Sequence, residues 1–352
     1  MVPAVNTNSE TKPATPIKWY RTPIDPELHK ELHRRSDFLG LLQTLGYLSI
    51  YTLTAGTALV AAARHWPVLA VLGFVFLHGM VTAFMINGVH ELGHNTVFKS
   101  NWLNSLFVRK LSFLGWINFQ MFNASHTRHH RYTLHPPDDL EVVLPIKIMI
   151  RNFFLQGFIN PAGNPIAAWN VIKDFVRIAR GQLRGEWELT LFPANDPAKR
   201  RLPVNWARTV LIGHALIMAG SIAGGFVWHW LWLVPVLITF APFFGGWLFF
   251  LCNNTQHIGL QDNVPDFRLC CRTFMLNPVV RFLYWHMNYH TEHHMYAAVP
   301  CYRLGKLHAA IKHELPPCPA GIIATWQQIA EIQRLQKSNP SYQYAAPLPV
   351  RQ

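Results

Sequence analysis

Apolar and polar positions are segregated along this chain in long blocks rather than in short periods. Met1 to Asp37 is polar and carries Pro3, Pro13, Pro16, Pro23 and Pro26. Such composition predicts disorder at the start of the tail, and with no apolar run after Met1 no cleaved signal peptide is expected. Phe38 to Ala63 contains no charged residue and is long enough for a helix across roughly 30 Å of hydrocarbon. Arg64-His65-Trp66-Pro67 makes a short turn, and Val68 to Val89 forms a second apolar block that ends directly on His90. Thr209 to Val227 and Leu231 to Leu251 form a second apolar pair, joined through Trp228, His229 and Trp230. Aromatic residues at such a joint mark a membrane–water boundary.

Two segments between these pairs have a different pattern. Asn101 to Phe122 mixes Leu, Phe and Trp with Arg109 and Lys110, which predicts an interfacial or re-entrant helix. Ile166 to Trp187 places Lys173, Arg177, Arg180 and Arg184 among Trp, Val, Ile and Phe, the pattern of a helix lying on a membrane surface. The expected fold class is therefore all-α and integral to the membrane. It has four transmembrane helices in two hairpins, interfacial helices and a cytosolic histidine-rich cap. The expected division is a polar tail at 1–37, a membrane domain at 38–308 and a cytosolic C-terminal segment at 309–352.

Composition strengthens this picture. Half of the 352 residues are apolar and only 14% are charged, against roughly 25% in an average soluble domain. The net charge of +13 is spread between apolar blocks and forms no run, which argues against a nucleic-acid partner. Of the Lys and Arg residues, 6 lie before the first hairpin, 15 between the hairpins and 9 after the second. The first hairpin tip holds only Arg64 and the second tip none. By the positive-inside rule both tips face out, and the termini and all histidine clusters face the cytosol. That membrane would be the endoplasmic reticulum in a eukaryote or the inner membrane in a bacterium. The five cysteines, Cys252, Cys270, Cys271, Cys301 and Cys318, form no C-x-x-C pair and are expected to be reduced thiols.

Three clusters carry the candidate chemistry: His90-Glu-Leu-Gly-His94, His126-Thr-Arg-His129-His130 and His290-Thr-Glu-His293-His294. Helical residues three and four apart share a face, so the clusters present two, three and three imidazoles. Imidazole is a common ligand of iron, zinc and copper. Eight converging rings exceed the capacity of one ion and point to two metals. Taken alone, the first cluster is also the H-E-x-x-H pattern of zinc peptidases, but that reading needs a third ligand and leaves six clustered histidines unused. Haem would need isolated axial histidines. A transporter or metal carrier predicts polar residues within the spans, which offer few beyond His78 and His214. These two, like His65, His229 and His313, are expected to be ordinary polar residues. His135 and His286 lie close enough to the boxes to support them.

The ordered set H-x-x-x-H, H-x-x-H-H, H-x-x-H-H, with apolar hairpins between the boxes, resembles the membrane fatty acid desaturase and hydroxylase superfamily from about Phe38 to His308. His90-Glu-Leu-Gly-His-Asn95 is similar to the first box of sphingolipid desaturases. His290 differs from the Gln that opens the third box of front-end desaturases fused to cytochrome b5. The first box is also shorter than in stearoyl-type acyl-CoA desaturases. The resemblance implies two iron ions and dioxygen as co-substrate, with oxidation of an unactivated C–H bond in a fatty acyl chain or related lipid. Desaturation is favoured over the alternative of hydroxylation or ketone formation. It also implies that His257 in Asn253-Asn-Thr-Gln-His257 is a ninth metal ligand and that Asn253 binds through water, with Asn254 as the other register.

Neutral imidazoles leave the metal charge uncompensated, so nearby acids are expected to accept the remaining ring N–H groups. The candidates are Glu91, Glu292, Asp138, Asp139 and Glu141, with Asp138 and Asp139 equally readable as solvated loop acids. No cytochrome b5 haem motif, flavin fingerprint or iron–sulfur cysteine set is visible. A separate electron donor, cytochrome b5-like or ferredoxin-like, is therefore expected to meet a basic face that includes Arg109, Lys110, Arg128, Arg131, Arg303 and Lys306; the alternative reading of the same residues is binding of lipid phosphates.

Overall fold

The computed structural model describes residues 16–146, 148 and 164–350. The disorder expected at the beginning of the tail falls outside them. Among the described residues the chain is helical, and strand pairing is limited to two isolated bridges, Tyr20 with Asp266 and Thr273 with Tyr289.

The first apolar pair folds as the hydrophobic blocks dictate. Helix α1 (Pro26–Leu32) is capped by Asp25, and α2 (Asp37–Ala63) by Ser36, whose side chain accepts from the Leu39 amide at 3.3 Å. α3 (Val68–Thr82) returns antiparallel and continues, after an irregular turn at Ala83 and Phe84, into α4 (Met85–Gly93). α2, the combined α3–α4 and the later helix Pro197–Gly225 are the three long and apolar enough to cross a membrane. Their outer faces carry exposed apolar side chains such as Phe38, Leu53, Leu69, Ile212 and Leu216. In water this surface would be strongly unfavourable; against lipid it is the expected face.

The middle of the chain supplies shorter helices. The expected interfacial segment is α5 (Asn101–Leu114), followed by a turn and α6 (Phe119–Tyr132), capped by Asn118. The amphipathic segment forms α7 (Pro165–Ala179), with Ile166 and Trp169 exposed, and then α8 (Gly185–Leu191). α9 (Pro197–Gly225) is the third long helix. Proline at the first position starts α1, α7 and α9, where its missing N–H has no partner to lose.

The fourth apolar block departs from expectation. Leu231 to Leu251 is not one helix. It is a 3₁₀ turn (His229–Leu233), a short helix α10 (Val234–Ile238), another 3₁₀ turn (Ala241–Phe243) and α11 (Trp247–Asn253). Pro242, Gly245 and Gly246 interrupt the ladder. Gly245 adopts φ +60°, and a Cβ there would lie 2.5 Å from the Phe76 carbonyl oxygen. The broken limb thus packs backbone to backbone on α3. Carbonyls freed by the break accept bonds from neighbouring helices. Leu237 O receives Tyr51 Oη at 3.3 Å and His78 Nε2 at 2.8 Å, and Thr239 O receives Trp116 Nε1 at 2.7 Å. His214 Nδ1 lies 3.1 Å from Thr239 Oγ1. His78 and His214 therefore serve the fold: His78 satisfies a carbonyl of the broken limb, and His214 joins Thr239 of that limb to the Phe113 carbonyl of α5 at 3.0 Å.

The remaining helices close one end: α12 (Phe267–Cys270), α13 (Pro278–Leu283), α14 (His290–Met295), α15 (Leu304–Ile311) and α16 (Ile322–Ser338). Residues beyond 308 fold back onto the rest. Trp326 Nε1 donates to Leu251 O at 2.9 Å, and the Tyr344 amide to Gly259 O at 2.8 Å. The tail also docks here, with Trp19 stacked on Phe267 at 4.1 Å.

Candidate metal centre

Three short helices carry the histidine boxes: α4 holds His90 and its C-cap is His94, α6 holds His126, His129 and His130, and α14 holds His290, His293 and His294. The i, i+3 and i, i+4 spacings put each set on one face, and the three faces converge. Two groups result. His90, His94, His126, His130 and His293 form one, with candidate ligand atoms within 4.8 Å of one another. His257, His290, His294 and Cys271 form the other to the same limit. His129 stands outside both sets, with its ring 5.1 Å from that of His257 and 4.9 Å from that of His294. The box helices thus contribute jointly, and the second group also recruits His257 from the turn after α11.

The rings are held at their outer nitrogens. His90 Nδ1–H donates to Glu91 Oε1 at 2.9 Å, His126 Nδ1–H to Glu141 Oε1 at 2.8 Å and His129 Nδ1–H to Asp139 Oδ2 at 2.7 Å. Asp139 is itself fixed by the Leu134 and Glu141 amides, both at 2.9 Å. His257 Nδ1–H donates to Cys270 O at 2.8 Å. The Thr133 hydroxyl donates to His129 O at 2.7 Å and accepts from His294 Nδ1 at 3.1 Å, joining the second and third boxes. These bonds fix the tautomers and leave the Nε2 lone pairs pointing inward.

Four of the inward atoms have no protein partner. Nε2 of His90, His94, His126 and His294 is buried and unbonded. Buried polar atoms without partners are rare and ask for a ligand. Two Nε2 pairs also lie unusually close, His257 to His290 at 2.9 Å and His130 to His293 at 3.1 Å. Nitrogens bound at right angles to one ion lie roughly 2.9 Å apart, given metal–imidazole distances of roughly 2.0–2.1 Å. The residues present therefore fit two metal ions, one per group.

Electrostatics favour the ligand-competent neutral ring. Burial, the largest cause, lowers His94 to about 4 and His257 to about 3, where the His129 charge also contributes. Burial followed by neighbouring imidazoles pushes His126, His130, His290, His293 and His294 well below the usual histidine range. His129 runs the other way. Burial opposes its charge, but the hydrogen bond and charge of Asp139 outweigh it and raise the pKa.

The other expected residues sort by their contacts. Glu292 accepts from Thr273 Oγ1 and His308 Nδ1, neither of them in a histidine box. Asp138 pairs with Arg128 at 2.9 Å on the surface. His135 Nδ1 donates to Thr133 O at 2.8 Å. His135 and His286 belong to neither group. Asn253 ends α11 one turn before His257, and the Asn254 amide is engaged by Phe250 O at 2.9 Å. Of the expected donor-facing cations, Lys306 pairs with Glu31 at 2.6 Å, Arg303 lies 3.7 Å from the same carboxylate and Arg128 is held by Asp138.

Sequence reasoning missed the strap Cys270-Cys271-Arg272-Thr273. Arg272 is buried among neutral acceptors: its guanidinium donates to Thr255 O, to Ile258 O at 3.1 Å and to Gln328 Oε1 at 3.1 Å, while its amide donates to Gln256 O at 2.8 Å. It clamps the turn that presents His257. No spacing pattern marks such a role, because the contacts join residues 14 and 17 positions apart through an irregular turn.

Residues 22–326, which include both groups, match the fatty acid desaturase family. The chain is also similar to the sn-1 oleoyl-lipid 12-desaturase of Picosynechococcus sp., at 27% identity over 297 residues covering 75% of each chain. With three helices long and apolar enough to cross a membrane and two histidine groups, the chain belongs to the fatty acid desaturase family and is an oxidoreductase.

Proposed function

We propose that the protein is a di-iron enzyme that desaturates a fatty acyl chain or related lipid with dioxygen. One observation carries this: nine imidazoles, seven of them buried and His94 and His130 half-buried, gather around two positions, and the inward Nε2 atoms of His90, His94, His126 and His294 have no protein partner. His90, His94, His126, His130 and His293 would hold one iron, and His257, His290, His294 and His129 the other. Asn253 would hold a water ligand of the second iron, a role favoured by the engagement of Asn254 elsewhere. When bound, the two irons supply oxidation of an unactivated C–H bond. The chain's own part is to orient and protect. Glu91, Glu141 and Asp139 accept the outer N–H groups of His90, His126 and His129, which fixes each ring and offsets metal charge. The bonding of Glu91 to His90 Nδ1, with His293 Nδ1 at 3.5 Å, suits this supporting role and not that of a peptidase base.

The similarity to an oleoyl-lipid desaturase supports a lipid-borne acyl chain as substrate. We further propose that the broken limb at 229–253 acts as the fourth crossing, which puts both histidine groups and both termini on the cytosolic side. Electrons would come from a separate protein donor. The test joins metal and product analysis of the purified protein and of cells with and without the gene. About two irons per chain and a lipid product lighter by two mass units are expected. One zinc and no iron would overturn the proposal, and a gain of sixteen mass units would make the protein a hydroxylase.

A further inference from the structure

The two histidine groups differ in how their charge is balanced. In the first, two rings are backed by carboxylates: Glu91 behind His90 and Glu141 behind His126. In the second, His257 is backed by the neutral Cys270 carbonyl and His294 by the neutral Thr133 hydroxyl. Within this second group, and among the described residues, only His129 at its edge has an acid behind it. A doubly charged ion in the second position therefore sits among more weakly compensated ligands, with the buried Arg272 cation nearby on the same strap.

Cys271 meets that deficit. Its Sγ lies within 4.8 Å of ligand nitrogens of His257, His290 and His294, and all four residues are buried. His290 Nδ1 and His294 Nε2 are both unpartnered, and each residue is 2% exposed. The strap is anchored on both sides of the thiol: Cys270 O holds His257, Cys271 O accepts from Thr291 Oγ1 at 3.1 Å, and Thr291 is the residue after His290. Cys271 also lines a cavity of about 580 Å³ bounded by Thr273, Thr291, His308, Tyr344 and the segment Ala346 to Pro349.

Resting on the di-iron proposal above, we propose that Cys271 is a thiolate ligand of the second metal. Binding forms a metal–sulfur bond and breaks the S–H bond, the proton leaving to solvent; no electron transfer is involved. One anionic sulfur offsets one unit of metal charge where the imidazoles lack carboxylate support. It also makes this position chemically distinct from the first.

Iron-edge X-ray absorption on the full-length, iron-loaded protein tests this. A sulfur scatterer at about 2.3 Å, the usual metal–thiolate distance, is expected at roughly half occupancy per iron. Cys271→Ser should abolish that shell, whereas Cys252→Ser, at a buried thiol in α11, should leave it intact. Cobalt substitution provides a second readout, because a thiolate–cobalt charge-transfer band should appear and vanish in Cys271→Ser. Two bound irons with only nitrogen and oxygen scatterers would overturn the ligand and leave the di-iron proposal standing. A protein that binds no iron would overturn both.

Discussion

At the residue scale, the histidine boxes were legible because helical spacing alone puts His90 with His94, and His126 with His129 and His130, on common faces. The supporting acids were only half legible. Glu91, Asp139 and Glu141 contact box imidazoles, whereas Glu292, equally close in sequence, turns to Thr273 and His308. Proximity along the chain does not say which way a carboxylate points. Glu91→Gln keeps an acceptor for His90 but removes the charge. We expect metal affinity or turnover to fall about 10–100-fold, read by competition of a chelator for iron; unchanged iron retention and turnover would remove Glu91 from the supporting set. Arg272→Leu should act on one position only. It leaves Thr255 O and Ile258 O without their donor, at a cost of about 1–3 kcal/mol for each buried carbonyl. Iron content should drop from about two toward one per chain, and a variant retaining two irons would show that the His257 turn holds without the clamp.

At the element scale, hydrophobic block length located α2, α3 and α9 but misread Leu231 to Leu251 as continuous. Mean apolarity cannot reveal a break whose carbonyls are satisfied from elsewhere, here by Tyr51, His78 and Trp116. The signal was present locally as Pro242, Gly245 and Gly246, yet apolar helices in lipid tolerate Pro and Gly well enough to blur it. The close approach of this limb to α3 makes Gly79 sensitive. A methyl there would collide with Phe244 O and would stand 2.5 Å from Phe244 Cβ. Backbone atoms cannot move aside as a flexible side chain can, so Gly79→Ala should cost about 1–3 kcal/mol. Gly73, on the same helix, has open space around it, and Gly73→Ala should be neutral or stabilise by about 0.5–1 kcal/mol. Thermal unfolding of the two variants in detergent separates them. Equal midpoints would mean that the broken limb does not press on α3.

At the scale of the whole molecule, the distribution of charge and the positions of the histidines are independent features of the sequence, and they favour one topology. Both histidine groups lie at the end of the fold where α4, α6 and α14 meet, while the Ala63–Val68 and Val227–His229 turns end the long helices. If the broken limb crosses the membrane, the number of crossings is even and the termini share a side with the iron positions, the side rich in Lys and Arg. Single added cysteines make this measurable, because none of the five native thiols is exposed: four are buried and Cys318 is half-buried. Ala63 and His229 are exposed at the two turns, and Lys30 and Ser338 are exposed near the two ends of the chain. Cysteines placed at Ala63 and His229 should react with a membrane-impermeant maleimide on intact cells, and those at Lys30 and Ser338 only after permeabilisation. Labelling of Ala63→Cys without His229→Cys would mean that the second pair does not reach the outer face, leaving 229–253 as a re-entrant segment. Labelling of Ser338→Cys from outside would put the two termini on opposite sides. Either outcome breaks the four-crossing arrangement. The second would also separate α16 from the α11 residues it packs against, because Trp326 and Leu251 must share one side of the membrane to keep their 2.9 Å bond.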